Sequence, residues 1–210
     1  MRTHPFRSAA LGTFATVAAL ALTLAASGPG AAAETGKKTR APGFLAPSDL
    51  PVHPSSPWSA GKVTSGLPDP EPFCMEGALP SKRSHHREYH TDLDTNATQV
   101  SVTAASSTAA AKLARSLQRN VAECAADWLR ETPGGTASWQ DYGAVRVEEG
   151  AHVYGVHVSI PESEPSVHLF GVGRDGRTVT AVRWGQMGDL EHAPVAAFKQ
   201  TTRKAVQKLN

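Results

Sequence analysis

Charge of either sign is scarce in this chain of 210 residues: charged side chains make up 19%, with 21 Lys and Arg against 19 Asp and Glu. A balance of +2 supplies neither the basic face that draws a phosphate backbone nor the acidic block of a solvated tail, which excludes nucleic acid as an expected partner. Cysteine is limited to Cys74 and Cys124. Neither stands in a C-x-x-C or Cys-His grouping, so the usual signatures of zinc ribbons and thiol oxidoreductases are missing. No G-x-S-x-G elbow occurs, and a serine hydrolase would lack its sequence signature. The chain is short for two large domains and sufficient for one ordinary domain with a tail.

What is present begins with an address. Arg2 and Arg7 precede an apolar run over 9–27, a Gly-Pro-Gly break follows, and Ala31, Ala32 and Ala33 supply the small side chains that signal peptidase needs. Cleavage is expected between Ala33 and Glu34, making 1–33 a signal peptide, because a retained span wants about 20 apolar residues and a cationic stop. No cysteine near the end of the run offers a thioether for a lipid anchor. Loss of 1–33 removes Arg2 and Arg7 and no acid, leaving 19 bases against 19 acids, so charge attraction to a membrane surface disappears. Residues 34–43 read as a flexible leader and 44–210 as one domain. The expected localisation is secreted and extracellular, with no membrane span after processing. In that compartment the redox poise favours disulfides, and the even count predicts that Cys74 pairs with Cys124.

Eight prolines between 44 and 80 remove amide donors too often for a long helix or a central strand, which predicts an irregular wrap with Trp58, Leu67, Phe73 and Met75 as apolar anchors. Runs 87–93 and 98–104 flank the turn-prone Asp94-Thr95-Asn96-Ala97 and read as a hairpin. Leu113, Leu117, Val121, Cys124 and Trp128 fall on one stripe of a helix over 107–131, capped by Ser106 or Ser107 and stopped by Pro133-Gly134-Gly135. Four further runs, 139–147, 151–160, 167–172 and 177–184, are joined by linkers short enough for hairpins, so the sheet is expected to be antiparallel. In the second run Tyr154, Val156, Val158 and Ile160 alternate with Val153, Gly155, His157 and Ser159, the pattern of one buried and one more polar face. A second helix starts at Pro194, buries Val195, Phe198, Thr202, Ala205 and Leu209, and carries Lys199, Arg203, Lys204 and Lys208 as a solvated face. The expected architecture is α+β: a single twisted antiparallel sheet of about six strands with two helices packed on one face.

Side chains that could carry chemistry are few. Glu148 and Glu149 adjoin a turn at Gly150, and adjacent residues on extended chain point apart, so they read as turn solvation. Asp92, Asp94 and Asn96 spell the opening of a calcium loop, but Ala97 and Thr103 stand where that loop needs Gly and a bidentate Glu. His85, His86 and His90 cluster, yet positions four apart on a strand lie about 13 Å apart, too far to chelate one zinc ion without a bend. His157 and His168 on neighbouring strands read as hydrogen-bonded sheet histidines. Asn96-Ala97-Thr98 is a glycosylation sequon only where the host modifies such sites. No metal, cofactor or catalytic residue is expected. A ligand site is expected on the polar strand face, with His157, His168 and Arg183 as hydrogen-bonding groups and Trp184 as an apolar wall.

Taken together, the exported leader, the F-L-A-P-S-D-L-P stretch at 44–51, the Pro-rich segment with Cys74, the Ala-rich helix with Cys124 and the V-x-L-F-G-V-G-R-D-G-R-T-V-T pair at 167–180 resemble the PknH-like extracellular sensor domain. That resemblance implies a twisted antiparallel sheet with packed helices, disulfide support, a cleft for an unidentified extracellular ligand, and no enzymatic activity. Two departures stand out. The chain can form one disulfide where the kinase sensors often have two, and the aromatic residue before the helix cysteine is absent, with Trp128 one turn later. The expected function is that of a secreted, non-enzymatic, sensor-like binding domain for a small molecule or cell-envelope component, with a protein partner to carry any signal. The alternatives are a secreted hydrolase with a histidine general base and a wall-associated or inhibitory interaction module.

Overall fold

A computed structural model describes residues 42–210; the expected signal peptide over 1–33, its expected cleavage between Ala33 and Glu34, and the expected leader up to residue 41 lie outside the described residues. No helix among the described residues is long and apolar enough to cross a membrane. After a 3-10 turn at Pro47–Asp49 come the two-residue strands β1 (Ser59–Ala60) and β2 (Thr64–Ser65), then β3 (Ser84–His90), β4 (Asn96–Thr103), α1 (Ser107–Glu131), β5 (Thr136–Val145), β6 (Ala151–Ser159), β7 (Ser166–Asp175), β8 (Thr178–Met187) and α2 (Val195–Gln207). The strands form one antiparallel sheet in the order β1-β3-β4-β8-β7-β6-β5, with β2 also paired to β3. The fold is α+β, as expected. The sheet has eight strands rather than about six because the Pro-rich wrap touches down on β3 twice, for two residues each time.

The helices do not share a face. Side chains along a strand alternate between the two sides of a sheet, and two separate apolar clusters follow that alternation. Tyr154, Val156, Phe170, Val172, Val179 and Ala181 pack with Leu117, Val121 and Cys124 of α1. Val153, Val167, Leu169, Val182 and Trp184 pack with Phe198, Ala205 and Val206 of α2. The polar face expected from the alternation in β6 is therefore a second buried face. The physical reason lies in β6, β7 and β8, which are apolar at odd and even positions alike, so each side must be covered to remove it from water. Glycines let α2 come close: a Cβ on Gly171 would stand 2.2 Å from Thr202 Oγ1, and one on Gly173 would stand 2.5 Å from Val206 Cγ2.

Helix α1 begins where its cap dictates, with Ser106 Oγ accepting from the Ala109 amide at 3.1 Å. Its expected stripe holds: Leu117, Val121 and Cys124 are buried, with Leu113 and Trp128 at the margins. Cys124 bonds Cys74 across a Cα separation of 5.4 Å, fastening the Pro-rich wrap to the helix. The amino-terminal part of the wrap docks on the other face. There Leu45 is fully buried; its amide donates to Gln99 Oε1 at 2.8 Å and its carbonyl accepts from the Tyr89 hydroxyl at 3.0 Å. The cations of α2 are not simply solvated. Lys208 Nζ lies 2.5 Å from Asp49 Oδ2 and Lys204 Nζ lies 3.7 Å from Oδ1, while the Thr201 hydroxyl donates to the Asp49 carbonyl at 2.6 Å.

Candidate functional site

The four side chains expected to form one ligand site divide between the two faces. His168 on β7 and Arg183 on β8 lie on the α1 side, one register step apart, since His168 pairs with Gly185 and Arg183 with Phe170. Arg183 Nη2 donates to His168 Nδ1 at 2.8 Å and Nη1 donates to Asn96 Oδ1. Gly185 makes room for this pair, because a Cβ there would stand 2.6 Å from Arg183 Nη2 and 2.7 Å from His168 Nδ1. The Phe73 ring covers the imidazole at 4.8 Å between centroids. Burial first, then the Arg183 and His157 charges, push His168 down to about 3, so it is a neutral acceptor at Nδ1 with its proton on Nε2. Burial also brings Arg183 down to about 10 against the opposing pull of Glu76, and its Nε has no protein partner.

His157 and Trp184 belong to the α2 side. His157 sits between Ser138 and Val167 in the sheet, partly exposed, and is not brought to Trp184. Trp184 is 2% exposed, and what it shows is part of the wall of a cleft of about 460 Å³. Its indole N–H is buried and has no hydrogen-bond partner. Such a group costs roughly 1–3 kcal/mol when left unmade; the nitrogen is closed off from solvent and so lies behind the cleft wall.

Three separate stretches build this cleft: the wrap at 51–58, the hairpin loop at 93–95, and the end of β8 with the segment leading to α2. Local hydrogen bonds shape each. Trp58 Nε1 donates to the Pro51 carbonyl at 2.7 Å, and His53 Nδ1 accepts the Ser56 amide at 3.0 Å. Asp94 Oδ2 accepts the Met187 amide at 2.8 Å, tying the hairpin loop to the end of β8. The residues with calcium-like spacing thus serve the turn: Asn96 binds Arg183, and Asp92 donates its amide to Ser56 Oγ at 2.9 Å. Val52, Leu93 and Met187, exposed at 91%, 58% and 51%, stand on the rim. His192 Nδ1 lies 2.9 Å from Asp189 Oδ1 at the same margin and holds that carboxyl below the ordinary carboxylate range. A volume of 460 Å³, walled by Trp58 and apolar rim side chains beside the polar His53, Ser55, Asp94, Thr95, Gln186 and His192, suits a small organic molecule with polar groups of its own.

A second cleft of about 480 Å³ lies beside the disulfide, lined by Phe73, Trp128 and the carboxylates Glu76, Glu123, Asp127 and Glu131. It is slightly larger, but no unpartnered buried polar atom among the described residues belongs to a residue lining it. His86 is occupied by the Gly66 carbonyl at 3.0 Å, and the β3 pairing puts His85 on the face opposite His86 and His90. Among the described residues no group of three or more His, Cys, Asp or Glu side chains converges as for a metal ion. The cleft at Trp184 was only half visible in the sequence: Trp58 and Trp184 stand out as aromatics, but the stretches that meet there are more than 30 residues apart at the closest.

No family model and no curated protein matches the chain. Among solved structures, the crystal structure of the extracellular domain of PknH from Mycobacterium tuberculosis is similar at 11% sequence identity and a TM-score of 0.39, over 77% of this chain and 96% of that one. This is a weak likeness of fold.

Proposed function

We propose that this chain is a secreted, non-enzymatic, sensor-like domain that holds a small extracellular molecule in the cleft between Trp58 and Trp184. The carrying observation is the open cleft of about 460 Å³ that three separate stretches build around Trp58, with exposed Val52, Leu93 and Met187 on its rim. The disulfide agrees with an extracellular setting. The Arg183–His168 pair, expected to contact the ligand, acts in this reading as a buried brace between β7 and β8. A small molecule or cell-envelope component is the partner proposed, with no nucleic acid involved.

Native mass spectrometry of protein recovered from culture medium tests this reading. A retained small molecule, lost in L93K and M187K variants that keep the fold, supports it. Retention that is indifferent to both rim substitutions, or no binding from medium or envelope extracts, overturns it.

A hydrolase reading draws on one observation, the Asp189–His192 pair at the cleft margin. The arrangement orients an imidazole as a general base needs, but among the described residues no serine hydroxyl is hydrogen-bonded to it. Turnover of pooled ester, peptide or glycan substrates that H192A abolishes would establish it.

A further inference from the structure

The two edges of the sheet are treated differently. At β3 the outward carbonyls are taken up by the Pro-rich wrap, with the Gly61 amide donating to Glu88 and the Gly66 amide to Ser84, each at 2.9 Å. At the far end, β5 has a strand neighbour on one side only among the described residues. A long open edge presents a row of unpaired amides and carbonyls, which folded proteins normally guard with lysine, proline or a covering segment. The ten residues of β5 include no lysine, arginine or proline and one charge, Asp141, which is already paired with His152 at 2.5 Å. Trp139 stands 45% exposed on the α1 side, its ring 6.2 Å from that of Tyr154.

The register fixes which backbone groups face out. Hydrogen-bonded pairs alternate along an antiparallel ladder. The Arg174 amide donates to the Gly150 carbonyl at 3.3 Å, so even-numbered residues of β6 bond β7 and odd-numbered ones bond β5. Their partners in the first half of β5 are Thr136, Ser138 and Gln140, which leaves Ala137, Trp139 and Asp141 with N–H and C=O directed outward before the irregularity at Asp141–Gly143. Gln140 Nε2 donates to the Asp141 carbonyl at 3.2 Å, as an outward carbonyl allows.

We propose that β5 is a self-pairing edge whose occupant is the β5 of a second copy, antiparallel about a two-fold axis at Trp139. In that register all three outward residues pair and exchange six backbone hydrogen bonds, whereas a slip of two leaves one of them unpaired. Trp139 lies directly opposite its copy, so the exposed indoles pack across the axis. Asp141 opposes Ala137, which keeps the two carboxylates about 13 Å apart along the strands and sets no like charges face to face. The bulge after Asp141 ends the pairing. So short an interface lies below the area of a stable dimer, and the association is weak.

Sedimentation velocity and amide exchange of the full protein, compared between about 20 μM and about 1 mM, test this. A dissociation constant of about 0.3 mM is expected, leaving about nine-tenths of the chains monomeric at the lower concentration and about a third at the higher. Exchange at Ala137, Trp139 and Asp141 should then slow about threefold, while Thr136, Ser138 and Gln140 stay protected at both concentrations. A137P removes an outward N–H that has no backbone partner in the monomer; it should keep the urea midpoint and abolish the dimer. W139K sets two ammonium groups opposite each other across the axis and should also abolish it, which provides a second test if A137P fails to fold. A chain that stays monomeric at about 1 mM, a dimer that survives these substitutions, or slowed exchange that does not follow the alternation overturns the self-pairing. Protection of the three outward amides that appears only with an added foreign peptide overturns it as well.

Discussion

Replacing Asp49 should loosen the wall of the cleft from α2, and the structure indicates by how much. Its side chain is 9% exposed, with Oδ2 accepting the Ala46 amide at 2.8 Å and lying 2.5 Å from Lys208 Nζ, while Lys204 is a more distant and exposed partner at 3.7 Å. D49A leaves the Ala46 amide without its acceptor and Lys208 without its counter-charge, a loss of about 2–3 kcal/mol. D49N keeps the Ala46 bond and should cost about 1 kcal/mol, because Lys208 is 36% exposed and solvent screens the pair. Burial by itself would raise the Asp49 pKa, but the Lys208 bond, the Ala46 amide and the charges of Lys208 and Lys204 overcome it and hold the carboxyl below its ordinary value. A carboxyl lowered in the folded state stabilises fully above its unfolded pKa, about 4, and that contribution is lost as pH falls through the folded value. Urea denaturation midpoints at pH 7 and below pH 3 provide the assay. The gap between the unaltered protein and D49N should be present at pH 7 and close in acid. Equal stability of all three proteins at pH 7, or a gap that persists undiminished in acid, would refute the reasoning.

Three other outcomes follow from the same geometry. Replacing both cysteines by serine opens a loop of sequence separation 50 and should cost about 4 kcal/mol on the chain-entropy account, measured as a lowered urea midpoint that reduction of the unaltered protein reproduces. G171V places atoms inside Thr202, where even a Cβ would come within 2.2 Å; a loss of about 3 kcal/mol or failure to fold is expected, and unchanged stability would show that α2 does not pack there. His168, pushed down to about 3 by burial with Arg183 and His157, should leave the folded protein unprotonated from neutral pH down to about 4. The unfolded chain takes up that proton below about 6.5, so stability should fall with pH by about 1.4 kcal/mol per unit across the window, and H168N should remove this slope.

Much of the fold was legible because its signals are local. The stripe from Leu113 to Trp128, the Ser106 cap and the Pro133-Gly134-Gly135 stop define α1 over 107–131, the span observed. The six longer strands were placed to within a few residues. The side on which each helix sits was not legible, because β6, β7 and β8 are apolar on both faces and alternation then no longer distinguishes inside from outside. Gly155 is instructive. Read as part of a polar face, it is covered by Leu190 and Tyr142, each only 2.7 Å from where a Cβ would be. Of the expected site residues, the pairing of His168 with Arg183 depends on register across a hairpin, and Trp184 alone reaches the cleft. The cleft itself joins residues 51–58, 93–95 and 184–194, a juxtaposition that no local pattern encodes.

The most direct measurement is the set of tryptophan indole resonances recorded while concentrated medium or envelope extract is added. Trp58 and Trp184 line the proposed site, Trp128 lines the acidic cleft beside the disulfide, and Trp139 lies 45% exposed on β5. Saturable movement of Trp58 and Trp184, with Trp128 and Trp139 still, is the predicted result. Movement of Trp128 alone, or of none of the four, would contradict the account.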